Sequence, residues 1–479
     1  MNYSIIRYIL CRVLEFQALF LALPFVVGLI YGEREGFAYL VVGVSCLLAG
    51  VLGKLKKPKS TVFYAREGFV TVSLSWILLS VTGAFPLFLS GEFSSYTDAL
   101  FETISGLTTT GASILTDVEA LSKCNLFWRS FTHWIGGMGV LVLILAVLPL
   151  AGGYNMHLMR AESPGPTVGK LVPRVRHTAR ILYEMYIFLT IIQVILLLLT
   201  GMSPFEAMTL SFGTAGTGGF GVLNSSIGSY GVASQAVITI FMILFGVNFS
   251  VYYLIRARKP VQAFKHEEMR YYLGIILAAI LLITINIRGS FQSLFEAFHH
   301  AAFQVASIIT TTGYSTVDFN MWPEFSKAIL VVLMFVGACA GSTGGGIKVS
   351  RVIIMLKMVK NELSHLIHPK RVRQVTMESR VVNKEILRSI SVFFIAYIVI
   401  FAASTLLVSL DNLDFTTNFT AVAATLNNIG PGLNEVGPAA NFSVYCQPVK
   451  FVLMFDMLAG RLELFPLLLL FSPSTWKRS

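Results

Sequence analysis

The hexapeptide Thr-Thr-Thr-Gly-Ala-Ser at 108–113 returns almost letter for letter at 310–315, as Thr-Thr-Thr-Gly-Tyr-Ser. Two further stretches align with this pair: Gly-Thr-Gly-Gly-Phe-Gly at 216–221 and Asn-Asn-Ile-Gly-Pro-Gly at 427–432. All four carry glycine at the fourth place, as Gly111, Gly219, Gly313 and Gly430. Glycine reaches φ > 0 at little steric cost and keeps side chains away from whatever its backbone faces. Four such loops around one axis would present a ring of backbone carbonyls, the donor set that replaces the hydration shell of an alkali cation. The candidate residues for this ring are Thr109, Thr110 and Gly111; Thr217, Gly218 and Gly219; Thr311, Thr312 and Gly313; and Asn428, Ile429 and Gly430. Glycine and threonine also help membrane helices pack, which would explain one loop but not four in register.

Other glycine-rich runs imitate nucleotide sites. Residues 216–221 match G-x-G-x-x-G, but that fingerprint needs a preceding strand and a βαβ unit. Residues 341–348, Gly-Ser-Thr-Gly-Gly-Gly-Ile-Lys, vaguely resemble a phosphate loop without its Gly-Lys-Ser/Thr ending. With no catalytic constellation in view, the reading is a non-enzyme without a bound nucleotide. Cys11, Cys46, Cys124, Cys339 and Cys446 have neither metal nor disulfide spacing and read as free thiols.

The elements that must position these loops are membrane helices. Of the 479 residues 55% are hydrophobic and 13% charged, against about 25% charged in soluble domains. Ten segments reach the roughly 20 apolar residues of a span: 4–31, 36–54, 69–91, 126–150, 178–201, 232–256, 272–288, 325–357, 389–410 and 449–472. Four shorter stretches, near 96–110, 204–216, 297–310 and 415–427, suit re-entrant helices. The expected class is therefore an all-α polytopic membrane protein. It would have an N-terminal hairpin (1–66) and four helix, pore-loop, helix units (67–150, 151–256, 257–360 and 361–479) in pseudo-fourfold arrangement. The short helices would aim their negative C-terminal ends at the pore. Non-helical backbone at membrane depth must be buried in protein or line a water-filled cavity. Most of the 36 lysines and arginines fall in the loops 54–66, 151–180, 256–270 and 348–388 or near the termini. Ten crossings put all of these on one side, which makes that side and both termini cytoplasmic. The same basic collar, beyond setting topology, could dock a cytosolic partner or anionic lipid. Asp98, Asp117, Asp318 and Glu324 fall on the other side, as loop acids that could concentrate cations.

The segment 325–357 is interrupted by Gly337, Gly341 and Gly344 to Gly346, and glycine costs about 1 kcal/mol in a helix interior. Broken membrane helices tend to line cavities. Arg461 would lie about 16 Å into the last helix at 1.5 Å per residue, near the midplane. There an arginine costs at least about 2.5 kcal/mol, so it should face a cavity or pair with Asp456 or Glu463. Lys348 could equally snorkel to the surface. His133, His299 and His300 carry no mark of a proton path.

The fourfold pattern, its filter loops, the run 340–348 and Gly460-Arg461-Leu462-Glu463 resemble the TrkH/KtrB family of bacterial potassium transporters, over essentially residues 60–479. The hairpin and the length favour the TrkH branch. The resemblance implies a gated, channel-like pore for potassium uptake across the bacterial inner membrane. It implies K+ bound at the filter as the transported ion, a homodimer in the lipid bilayer, and cytosolic nucleotide-binding regulatory subunits (TrkA-like); nucleic acid has no part. Related plant transporters that prefer sodium carry serine at the first filter glycine, where this chain has Gly111. The glycine-rich second loop leaves its register between Gly218 and Gly219. The resemblance also makes an intramembrane gate of Gly341, Ser342, Thr343, Gly344, Gly345 and Gly346, with Lys348 and Arg461 beside it. The alternative is a secondary transporter that couples K+ to H+ or Na+ by symport.

Overall fold

A computed structural model describes residues 1–56, 64–139, 175–370, 374–378 and 380–477. Two helices, Tyr3–Tyr31 and Gly36–Lys54, form the N-terminal hairpin. Four units of one plan follow. The first is Ala65–Leu89, the pore helix Tyr96–Leu107 and the inner helix Lys123–Gly137. The second is Val175–Leu199, Pro204–Gly216 and the pair Val232–Phe245 and Phe249–Arg256. The third is Glu267–Ile287, Leu294–Ile309 and the pair Glu324–Val336 and Val349–Ile367. The fourth is Lys384–Val408, Phe415–Leu426 and the pair Gln447–Arg461 and Phe465–Phe471. The all-α reading holds, with one small addition: Thr376–Met377 pairs with Arg380–Val381 as a two-stranded hairpin.

The spans are less continuous than hydropathy implies. Among the described residues six helices are long and apolar enough to cross a membrane, or seven if the pair Val232–Phe245 and Phe249–Arg256, bent by 89°, is one span. The expected spans 232–256, 325–357 and 449–472 are each two helices. Their breaks fall at 246–248, 337–348 and 462–464. The residues around the first and last breaks are mostly apolar, so hydropathy runs straight through them. Glu463 and Leu464 both take positive φ and so cannot continue the last helix. The unit boundaries after 66 and 360 fall inside the helices Ala65–Leu89 and Val349–Ile367. Residues 140–150 of the fourth expected span lie outside the described residues, as do Lys57, Lys59, Arg160, Lys170, Arg174, Arg371, Arg373 and Arg478 of the basic collar. Cys11, Cys46, Cys124 and Cys339 are buried free thiols and Cys446 an exposed one.

Candidate functional site

Every pore helix starts on a side-chain cap. Ser95 accepts the N–H of Asp98, Ser203 that of Glu206, Ser293 that of Glu296 and Asp414 that of Thr417. Three of these are S-x-x-[DE] patterns, the sequence form of a capping box. The opposite ends are equally alike. Thr109, Thr217, Thr311 and Asn428 take φ of 56°, 54°, 59° and 55°. The next amide then reaches back five residues: Thr110 to Ser105, Gly218 to Gly213, Thr312 to Ser307 and Ile429 to Ala424, each at 2.8 Å. This is a Schellman ending, normally made by glycine. A side chain in left-handed backbone costs roughly 1–2 kcal/mol, so each unit holds a strained residue at the same place.

Two residues further on, Gly111, Gly219, Gly313 and Gly430 have φ of 79°, 83°, 85° and 102°. The paired left-handed residues fix the register of the second loop on Gly219. These four glycines close a ring. A Cβ on Gly111 would stand 2.0 Å from the carbonyl oxygen of Gly218, and one on Gly219 would stand 1.9 Å from that of Thr312. On Gly313 it would stand 2.1 Å from the oxygen of Ile429, and on Gly430 2.8 Å from that of Thr110. Each glycine thus abuts the residue before the glycine of the next unit, and the fourth returns to the first. All four line one cavity of about 200 Å³, together with Ser113, Arg129, Ser315 and Pro431.

The segment 337–348 packs against the pore-helix ends. Gly345 donates its N–H to Thr311 Oγ1 at 2.6 Å. A Cβ there would lie 2.7 Å from the Asn427 carbonyl, and one on Gly344 would lie 3.0 Å from that of Thr310. Thr343 Oγ1 reaches the Phe245 carbonyl at 3.3 Å. Arg461 ties the segment to the first unit. It donates to the Thr343 carbonyl at 3.1 Å, to Thr109 Oγ1 at 3.3 Å, and to the carbonyls of Gly136 and Gly137. The last two end the helix Lys123–Gly137, where the helix dipole favours a cation. The segment therefore touches the second, third and fourth units directly, and Arg461 links it to the first. Gly341 accepts the Phe249 N–H at 3.0 Å. Ser342 Oγ donates to Cys339 O at 2.6 Å, and Gly346 adds another left-handed turn.

Several expectations change. Lys348 does not snorkel: it is buried, and Nζ donates to the carbonyls of Gly344 and Gly345. Of the partners considered for Arg461, Asp456 accepts from Ser404 at 2.6 Å and Glu463 pairs with Arg351 at 2.6 Å. Asp98 is no open loop acid. It is buried and paired with Lys450 at 2.7 Å. Asp117 and Glu119 hold Asn224 in the neighbouring loop. Asp318 caps the turn at Asn320, and Glu324 pairs with Lys327. His299 and His300 bond Gln235 and Thr316. The two nucleotide-like runs are the end of the second pore helix and the segment just described.

Gly460, which opens the run Gly460-Arg461-Leu462-Glu463, and several residues outside any motif complete the site. Gly136 and Gly460 sit at matching places under the first and fourth pore helices. A Cβ would lie 1.9 Å from Leu107 O and 2.1 Å from Leu426 O. Arg129 and Glu102 form a buried pair beside the first loop. Glu268, 3% exposed, accepts the N–H of Ala340 at 2.7 Å and of Ser350 at 3.1 Å, and so grips both flanks of the segment. Its own N–H and that of Glu267 bond the Glu378 carboxylate, each at 3.1 Å. Glu378 lies at the turn of the short hairpin and pairs with His266 at 3.0 Å. Burial lowers the His266 pKa, but the carboxylates of Glu378, Glu268 and Glu267, Glu378 foremost, together outweigh it and leave the imidazole above its ordinary value. Burial likewise raises the Glu378 pKa, and His266 with the two amides holds it below the usual carboxylate range.

Among known proteins, the family described as TrkH, cation transport protein, matches residues 37–478. The Trk system potassium uptake protein TrkH of Escherichia coli (strain K12) is 36% identical over 462 residues, covering 95% of each chain. The Trk system potassium uptake protein TrkI of Halomonas elongata is 31% identical over 465 residues, 96% of this chain and 94% of its own. The crystal structure of the potassium transporter TrkH from Vibrio parahaemolyticus matches with a TM-score of 0.89, at 33% identity and over 100% of both chains.

Proposed function

The chain belongs to the TrkH family of cation transport proteins, and from that premise we propose that it takes up potassium through a gated, channel-like pore. The observation that carries the reading is the closed ring of four loops with bare glycines at Gly111, Gly219, Gly313 and Gly430. A partly dehydrated cation at this ring would exchange water for backbone oxygen, and the four pore-helix ends would add their negative dipoles. The oxygens belong to main chain braced on four sides, so they resist collapse around a smaller ion.

The segment 337–348 is the gate in this reading. It lies under the pore-helix ends and is latched by Arg461 on one side and Glu268 on the other. The link from the hairpin through Glu378 to Glu268 gives a route by which a partner on the basic face could pull on the gate. That supports cytosolic nucleotide-binding regulatory subunits as the controlling partners. The inner membrane, cytoplasmic termini and a homodimer complete the proposal.

The test is uptake of radiolabelled rubidium by proteoliposomes, with K+, Na+ or Li+ as competitor and no other gradient. A passive pore takes up rubidium down its gradient and is blocked by K+ but not by Na+. Uptake that starts only when a proton or sodium gradient is imposed replaces the pore with coupled transport.

A further inference from the structure

The second filter loop lacks the side chains that support the first and third. Thr110 and Thr312 bond Thr108 and Thr310 within their own loops, each at 2.8 Å. The matching residues of the second loop are Gly218 and Gly216. The space they leave is taken by a residue of the first unit. A Cβ on Gly218 would lie 2.1 Å from Nδ1 of His133, and one on Gly216 would lie 2.1 Å from the His133 carbonyl.

His133 is fully buried and makes two bonds. Nδ1 lies 2.8 Å from the Gly106 carbonyl, which can only accept. Nε2 lies 3.2 Å from the Phe220 N–H, which can only donate. The partners therefore fix a neutral imidazole with its proton on Nδ1. The Phe220 N–H shares one peptide unit with the Gly219 carbonyl, and in a trans peptide the two point in opposite directions. Holding this N–H on His133 therefore fixes the direction of the Gly219 carbonyl, and Gly219 lines the cavity. The far side of Phe220 is met from the third unit. The Tyr314 hydroxyl lies 3.4 Å from the Phe220 carbonyl and 3.2 Å from that of Leu210. A Cβ on Gly213 would lie 2.1 Å from this hydroxyl.

We propose that His133 and Tyr314 are positioning residues for ion selection: they hold the peptide groups on either side of Phe220 and thereby aim the Gly219 carbonyl at the ion. His133 stands where side chains on Gly218 and Gly216 would be, with its ring at the first and its carbonyl at the second, and the Tyr314 hydroxyl does the same at Gly213 in the pore helix. This inference rests on the filter reading above and adds which residues keep its second quarter in shape.

The test is calorimetric titration of the purified full-length protein with K+ and with Na+, which reads the filter whether or not the gate opens. Three variants serve: His133→Leu, His133→Gln and Tyr314→Phe. His133→Leu leaves the Phe220 N–H without its partner. The K+ over Na+ preference is then expected to fall about tenfold, the scale set by one orphaned buried donor. His133→Gln can accept from Phe220 and donate to Gly106, and should keep most of the preference. Tyr314→Phe removes one oxygen and nothing else, so it should fold while lowering the preference severalfold. Thermal unfolding of each variant separates ion selection from stability. The inference is overturned if His133→Leu and Tyr314→Phe keep the parental K+ to Na+ ratio, or if His133→Leu misfolds while Tyr314→Phe keeps that ratio. A parent protein that binds K+ no better than Na+ overturns the filter reading itself, and this inference with it.

Discussion

Serine placed at each filter glycine in turn should give four unequal variants, and the structure sets their order. A side-chain carbon essentially never approaches another heavy atom closer than 3.0 Å. To admit a Cβ, the facing carbonyl must retreat by about 1 Å at Gly111, Gly219 and Gly313, but by only about 0.2 Å at Gly430. The atom displaced is main-chain oxygen of the next unit, in the residue before its filter glycine. Loss of one well-placed oxygen from a charged partner is worth about 1.5–3 kcal/mol, or roughly 10- to 150-fold at 1.36 kcal/mol per decade. Gly111→Ser, Gly219→Ser and Gly313→Ser should therefore lose K+ over Na+ preference on that scale, and Gly111→Ser should admit sodium.

Gly430→Ser should differ in kind. Its carbonyl neighbour hardly moves, so most of the preference survives. Its φ of 102° lies further from the left-handed well near +57° than those of the other three. Serine there is the most strained in its backbone, and the loss appears as a lower unfolding temperature. Rubidium uptake with K+ or Na+ as competitor reads the first property, and thermal unfolding in detergent reads the second. Equal loss of preference in all four variants would mean that backbone strain alone is at work and that the ring contacts do not select the ion. Gly430→Ser as the least selective of the four would refute the geometric argument outright.

Three further outcomes follow from the surroundings of the filter. Arg461→Ala, or removal of Gly344 and Gly345, unlatches the segment under the filter and should raise rubidium uptake in the absence of any regulator; unchanged uptake in a folded protein removes the gate assignment. Lys450→Met strands the buried Asp98 carboxylate and should cost about 3–5 kcal/mol, most of it recovered in the double variant with Asp98→Asn, as denaturant unfolding would show. Charged His266 stabilises the docking of the hairpin. Because its pKa is raised in the folded protein, that contribution is full below 6.5 and disappears as pH rises through the raised value. Amide exchange at Glu267 and Glu268 should speed up over that interval, beyond the ordinary base-catalysed rise seen at exposed amides, and His266→Gln should abolish the difference.

What could be read in the sequence follows from where each constraint resides. The filter glycines are imposed by the backbone, four times over, so Gly111, Gly219, Gly313 and Gly430 align without any structure. The strained Thr109, Thr217, Thr311 and Asn428 fall within the aligned loops, but nothing in their letters announces left-handed backbone, which the Schellman ending imposes. Asp98 reads as a loop acid because Lys450 is 352 residues away; the pattern Ser95-x-x-Asp98 is a local signal that could have placed it at a helix start. The broken spans at 246–248 and 462–464 leave no trace in hydropathy because a window sees composition and not backbone angles.

The second loop shows the same limit most sharply. Gly218 and Gly219 are identical letters with different causes. Gly219 must be glycine for its own backbone and for the carbonyl of Thr312. Gly218 must be glycine because the His133 ring occupies its Cβ position. Only the first cause is local, so the letters alone leave the register open, and the fold places it through the left-handed pair Thr217 and Gly219, with His133 accounting for Gly218. The ring of loops is thus fourfold in its main chain and one of a kind in each quarter's side chains. A ring of carbonyls demands only that backbone and oxygen positions repeat, and at Gly216 and Gly218 a residue of the first unit, His133, fills the space that side chains would need. The four units could therefore diverge in sequence while the ring they build stayed closed, provided each loss inside a loop was met by a group from its neighbour.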